Sequence, residues 1–222
     1  MNNYYAHNLN ATKLFDVYET KIQRVKQYLD AEINFIRVNL KGNESVLELG
    51  AGYGRIMKEL APFAKVITGI DIAENSVNFG REYLKEFPNC ALKVMDVNNL
   101  EFDAKFDVVL CLQNGISAFK ANDSKLIEMA VKILNKNGKA YFSSYSAKFW
   151  HFRLAWFQEQ AEKGLLGAID VHQSKEGKIV CKDGFTATTY SENDLERLGK
   201  ASGCEYDIHE VDKSSLFLVI TK

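Results

Sequence analysis

The sequence predicts a doubly wound α/β fold: one sheet of seven strands, five parallel and two forming a C-terminal antiparallel hairpin, with helices on its faces. Three observations carry this prediction. Apolar runs of strand length alternate with helical patterns from about residue 45 onward. The first strand runs directly into three glycines at single-residue spacing, Gly50, Gly52 and Gly54. The last two strand-like runs, Glu205–Val211 and Ser215–Thr221, are joined only by Asp212, Lys213 and Ser214, a link too short for a parallel crossover.

Each element has its own signal. Apolar residues at helical spacing between 12 and 38 (Leu14, Tyr18, Ile22, Val25, Leu29, Ile33, Ile36) predict one or two helices, a helical cap over residues 1–40 ahead of the sheet. Lys41-Gly42-Asn43 ends that pattern, and Val46, Leu47 and Leu49 begin the first strand. A helix over 53–62 carries Ile56, Met57 and Leu60; the second strand, 65–72, closes on Asp71. A helix over 74–87 leads to a third strand, 91–97, which ends on Asp96. The fourth, 106–112, opens into Gln113-Asn114-Gly115, and a helix over 122–135 precedes the fifth, 139–144. The turn between them, 135–138, places Gly138 where a left-handed residue is wanted. Ser191 reads as the N-cap of a helix running to about Ala201, with acids in its first turn. Residues 216–220 are apolar on both faces, as in a strand buried inside a sheet.

Residues 146–188 are extra to that sheet. They open with an aromatic helix to about Lys163, ended by Gly164 and Gly167, and continue as short strands over 168–172, 178–181 and 185–189. We read 1–222 as a single domain carrying this insertion.

Composition bounds the function. At 46% hydrophobic and 26% charged, the chain is that of a globular protein with one sizeable core. Lys and Arg number 28 against 29 Asp and Glu, and no basic stripe is visible, which argues against a nucleic-acid partner. The longest apolar run is far shorter than the roughly 20 residues that span a bilayer, and the first residues lack the basic start and apolar core of a secretory signal. Cys90, Cys111, Cys181 and Cys204 form no C-x-x-C pair and read as reduced thiols of a cytoplasmic protein; with four scattered histidines, no metal constellation emerges.

The chemistry concentrates at strand ends. A glycine-rich turn between a strand and a helix brings bare backbone against a ligand at the carboxyl edge of a parallel sheet. Here the pattern is E-x-G-x-G-x-G, with Glu48 two residues before Gly50, and differs from the G-x-G-x-x-G of dinucleotide-phosphate loops. Asp71, about 20 residues beyond the glycines, stands where a carboxylate accepts hydrogen bonds from ribose hydroxyls. This loop, with acids at the next two strand ends and the terminal hairpin, resembles the class I S-adenosylmethionine (SAM)-dependent methyltransferases over about 40–145 and 190–222.

The resemblance implies a Rossmann-like sheet and SAM as cofactor, with S-adenosylhomocysteine (SAH) as product and no metal. It implies a cofactor site of Glu48, Gly50, Ala51, Gly52, Gly54, Asp71 and Ile72, with Asp96 and Val97 at the adenine and Gln113 at the methionine end. Segments corresponding to the N-terminus and to 146–188 commonly cap the acceptor pocket in that family, which makes Tyr5, Tyr18, Trp150 and Trp156 candidates for lining it. Where the acceptor must lose a proton, His151 and His7 are the candidate bases, and Asn114 is a candidate for orienting cofactor or acceptor. Gln113-Asn114-Gly115-Ile116 departs from the Asn/Asp-Pro-Pro-aromatic sequence of base-amine methyltransferases, and 111–113 lacks the acid of the metal-dependent catechol type. A small-molecule acceptor remains. Two other classes stay beside it, a catalytically silent SAM-binding scaffold and a nucleotide-cofactor oxidoreductase; glycine spacing and the hairpin disfavour the latter.

Overall fold

The structure, a computed structural model, describes Tyr4, residues 8–119 and residues 122–222. In chain order the elements are α1 (Thr12–Tyr18), α2 (Gln23–Arg37), β1 (Ser45–Leu49), α3 (Arg55–Leu60), β2 (Val66–Asp71), α4 (Glu74–Tyr83), β3 (Cys90–Val94), β4 (Phe106–Cys111) and α5 (Gly115–Ala118). There follow α6 (Asp123–Ile133), β5 (Leu134–Tyr145), α7 (Trp150–Glu162), β6 (Lys178–Val180), β7 (Thr186–Thr188), α8 (Glu192–Ala201), β8 (Glu205–Val211) and β9 (Ser215–Thr221).

Seven strands pair in the order β3-β2-β1-β4-β5-β9-β8, the first five parallel. The last strand, β9, lies inside the sheet, antiparallel to both β5 and β8. Its apolar run explains that position, since Phe217, Leu218 and Ile220 are buried from both faces. β8, with Glu205, Asp207 and Glu210, is the charged edge. On one face of the sheet α6 and α8 pack Leu126, Ile127, Ala130, Leu195 and Leu198 over Leu47, Val109, Phe142 and Leu218. On the other, Ile33 and Ile36 of α2 and Ile56, Met57 and Leu60 of α3 cover Val46, Ile67, Val108 and Phe217. A third cluster joins Val17, Val25, Tyr28 and Leu29 to Phe149, Trp156, Phe157 and Phe185, fastening the insertion to the N-terminal helices.

Several expectations change, among them the start of β5, which lies at Leu134 and not at residue 139. The left-handed residue before β5 is Asn137 (φ 63°), not Gly138; a Cβ on Gly138 would lie 3.0 Å from the carbonyl oxygens of both Asn135 and Asp107, so that glycine serves close approach. The third strand stops at Val94, leaving Asp96 in the turn beyond it. Residues 168–172 make only the single bridge Ile169–Cys181, because the Asp170 carboxylate accepts from the amides of His172 and Gln173 and curls the chain into a turn. Elsewhere local chemistry matches the pattern: Ser191 Oγ accepts from Asp194 N–H, and the Asp194 carboxylate accepts from Ser191 N–H, a complete capping box.

One close contact sets how α4 lies against the sheet. A Cβ on Gly80 would sit 2.7 Å from the Tyr53 carbonyl oxygen and 2.3 Å from Leu92 Cδ1. Gly80→Ala should therefore destabilise the protein by about 1–3 kcal/mol through overpacking. Urea denaturation of the two proteins measures this, and an unchanged midpoint contradicts the packing account.

Candidate functional site

Strand order reverses between β1 and β4, which opens a crevice at the carboxyl ends of the parallel strands. A cavity of about 570 Å³ occupies it, floored by the turn after β1. Gly50, Gly52 and Gly54 have φ of 70°, 55° and 86°, a region that side chains bearing a Cβ enter at a cost. Space is as restrictive as conformation. A Cβ on Gly50 would meet the Phe119 ring at 2.7 Å, and one on Gly52 would meet Leu14 Cδ2 at 2.6 Å.

Asp71 ends β2 beside this turn. Its Oδ2 accepts from Gly52 N–H at 2.9 Å and its Oδ1 from Ala73 N–H at 2.8 Å. Burial raises its pKa, while the two amides act in the opposite direction. One carboxylate thus braces the glycine turn and still presents lone pairs to the cavity. Asp96 stands exposed at the rim, its Oδ1 accepting from the backbone and side-chain nitrogens of Asn98 at 2.9 Å each, with Val97 buried beside it.

The deeper floor is polar and incomplete. Glu48 Oε2, Arg55 Nε and Nη2, and Gln113 Nε2 are buried atoms that find no hydrogen-bond partner among the described residues, and all three residues line the cavity. Burial pushes Glu48 up to about 8, against the opposing pull of the Arg55 guanidinium and with a smaller upward push from Asp71. The Arg55 guanidinium lies 4.4 Å from the centre of the Tyr18 ring. Buried polar atoms lacking partners are costly, so a floor holding an acid, a guanidinium and an amide is built for a ligand with both donors and acceptors.

The remaining wall is apolar. Leu9, Leu14 and Tyr18 come from the N-terminal segment, which Ala11 N–H ties to Ser76 Oγ at 3.0 Å. Phe185 and Thr186 come from the insertion, and Tyr4, whose hydroxyl donates to Asp183 Oδ2 at 2.5 Å, bridges the two.

Residues 46–138 match the family model described as "Methyltransferase domain". Over these residues the chain is similar to methyltransferase domains. It is 24% identical over 115 residues to the ubiquinone biosynthesis O-methyltransferase of Coxiella burnetii, covering 51% of this chain and 48% of that protein. The chain spans about half the length of the curated relatives it matches. The PH0226 protein of Pyrococcus horikoshii OT3 has the same fold, with a TM-score of 0.68 at 20% identity over 100% of this chain and 99% of that one. So does the N-methyltransferase NodS of Bradyrhizobium japonicum WM9 in complex with SAH, with a TM-score of 0.59 at 13% identity over 97% of this chain and 98% of that one.

Glu48, Gly50, Ala51, Gly52, Asp71, Ile72, Asp96, Val97 and Gln113 all line the same cavity, as does Tyr18. Gly54 stands behind it as the residue preceding α3. Asn114 is buried under the turn after β4, its side-chain amide donating to Thr188 O and its Oδ1 accepting from Ser144 Oγ. Trp150, His151 and Trp156 are not among the lining residues. The Trp156 indole donates to Val17 O at 3.1 Å inside the third cluster, and His151 faces solvent. Tyr5 and His7 lie outside the described residues. The aromatic helix is thus packing, and the insertion reaches the cavity through the start of β7. Arg55 is the main residue missed by sequence reading; its position directly after the third glycine was the available signal.

Proposed function

We propose that this protein transfers a methyl group from SAM to a small-molecule acceptor by direct displacement. The observation that carries this reading is the set of unpartnered floor atoms on Glu48, Arg55 and Gln113, next to a glycine turn braced by Asp71. An acid, a guanidinium and an amide donor together fit the ammonium and carboxylate of an amino-acid end. Asp71 fits a vicinal diol, and Asp96 with the Val97 amide fits the edge of a purine. SAM, when bound there, supplies a sulfonium methyl whose carbon forms a bond to the acceptor as the bond to sulfur breaks and its electron pair passes to sulfur.

What the chain's own residues contribute is alignment and exclusion of water. Orientation of two reactants is worth about 7–11 kcal/mol, so the site need not form a covalent bond. Leu9, Leu14, Tyr18 and Phe185 supply an apolar wall suited to a compact, largely apolar acceptor, and a cavity of about 570 Å³ is within the usual range for small-molecule sites. No histidine is among the lining residues described, which takes the support from His151 as a base. The four cysteines, free in the described structure, support a reducing, cytoplasmic setting, and no described helix is long and apolar enough to cross a membrane.

Calorimetric titration with SAM, SAH and NAD tests the reading. Binding of both sulfur nucleosides without NAD is the expected result; binding of NAD alone refutes it.

A further inference from the structure

We infer that Glu32, which does not line the cavity, is a positioning residue that holds Gln113 in the conformation by which it meets the cofactor. The inference rests on the proposed function for its ligand and on the geometry of one strained turn for its mechanism. Gln113 and Asn114 follow β4 with φ of 53° and 61°, two consecutive left-handed residues with side chains. Such residues persist where their surroundings over-determine them. Here the Gln113 N–H donates both to Glu32 Oε2 at 3.1 Å and to Ser143 Oγ at 2.8 Å, while Asn114 N–H donates to Ser143 O at 3.1 Å.

Glu32 reaches this turn from α2. It is fully buried on the helix stripe that also carries Val25, Leu29 and Ile36, with its carboxylate among the Ser143 and Ser215 hydroxyls and within the influence of the Arg55 guanidinium. Its other oxygen accepts from Ser215 Oγ at 2.8 Å on β9. A buried carboxylate without an ion-pair partner among the described residues is expensive to keep, and an apolar residue would pack the same stripe. What the carboxylate adds is an acceptor for the amide of Gln113, a residue whose side-chain nitrogen stands unpartnered at the cavity floor. The chain from α2 through Glu32 to Gln113 therefore connects the helical cap to the cofactor floor without crossing the cavity.

The test is a cycle of SAH affinities for wild type, Glu32→Ala, Gln113→Ala and the double variant, with Glu32→Gln as the conservative replacement. At pH 8, above the value of about 7 to which burial raises Glu32, losing a hydrogen bond to a charged group predicts about tenfold weaker SAH binding in Glu32→Ala and a comparable loss in Gln113→Ala. The double variant should be no weaker than the worse single one, since both act through the same side chain. Glu32→Gln keeps an acceptor for the amide and should stay within about threefold of wild type. Wild-type affinity in Glu32→Ala, or losses that multiply in the double variant, overturns the inference. If Glu32→Ala does not fold, Ser143→Ala removes the second acceptor of the same amide and is read by the same criteria. If wild type binds no SAH, the proposed function fails, and hydrogen exchange at the Gln113 amide decides this inference separately. Exchange that accelerates in Glu32→Ala and not in Glu32→Gln keeps the clamp; exchange unchanged in both removes it.

Discussion

Asp71→Ala is expected to weaken SAH binding by at least about a hundredfold and to lower the melting temperature of the ligand-free protein as well. The first effect exceeds what loss of a ribose contact alone supplies. The carboxylate also accepts from Gly52 N–H and Ala73 N–H, and each amide left without a partner costs about 1–3 kcal/mol. One of those amides belongs to the glycine turn itself, so its release loosens the cavity floor before any ligand arrives. Asp71→Asn should rescue little, because its NH2 group points a donor at one of the two amide donors. Calorimetry with SAH and thermal melts without ligand separate the roles. A variant that loses affinity while keeping its melting temperature leaves the ribose contact standing and removes the bracing role.

The second large effect concerns pH. With Glu48 pushed up to about 8 by burial, most of the ligand-free protein holds this group neutral at pH 6. A ligand ammonium at the floor favours the carboxylate, so binding releases a proton wherever Glu48 starts protonated. SAH affinity should therefore rise between about pH 5.5 and 7.5, by up to about tenfold per unit, and Glu48→Gln should flatten the rise. That window lies below the range in which an α-amino group loses its own proton. Glu32, pushed up to about 7 by burial, titrates nearby, which makes Glu32→Gln the control: it should leave the Glu48-dependent rise in place. Both raised acids act on stability in one direction. The folded state binds more protons than the unfolded one between the ordinary carboxylate range and these raised values. Their contribution is thus complete at low pH and is lost as pH climbs through about 7 and 8. A flat affinity profile in the wild type contradicts the placement of an ammonium beside Glu48.

The fold was legible where one physical signal dominated. The hairpin bounds of β8 and β9 follow from an apolar strand, three turn residues and an edge strand with charges, and these agree between pattern and structure. β5 was harder. Its strand begins at Leu134, five residues before the pattern suggests, because Asn137 turns left-handed within it and the pairing with β4 shifts between Phe106 and Val108. The glycine turn was readable because close backbone approach demands glycine, and Asp71 because it closes an apolar run, whereas Asp96 falls two residues beyond the third strand. Arg55 was not, since a basic residue in the first turn of a helix reads as solvated surface. Nor was the aromatic helix: Trp156 and Phe157 look the same in a binding wall as in a core, and only the packing of α7 on α1 and α2 decides it. Glu32 offered a signal that periodicity alone overlooks, an acid at a position where α2 is otherwise apolar.

Placing β9 between β5 and β8 has a kinetic consequence. Within the parallel half, Val46 of β1 already meets Val108 of β4 across two intervening units, and Ser143 meets Phe217 only after the insertion and α8 have been traversed. Closing so distant a pair is entropically slow compared with forming the β8–β9 hairpin itself. Until that pair closes, β5 is an edge, with Ala140 and Phe142 displayed beside unpaired backbone amides. In the finished molecule that vulnerable edge is capped by the hairpin, and the exposure is handed to the acidic, self-repelling β8. The same seven residues that complete the core thus also govern how long the chain spends able to pair with its neighbours instead of with itself.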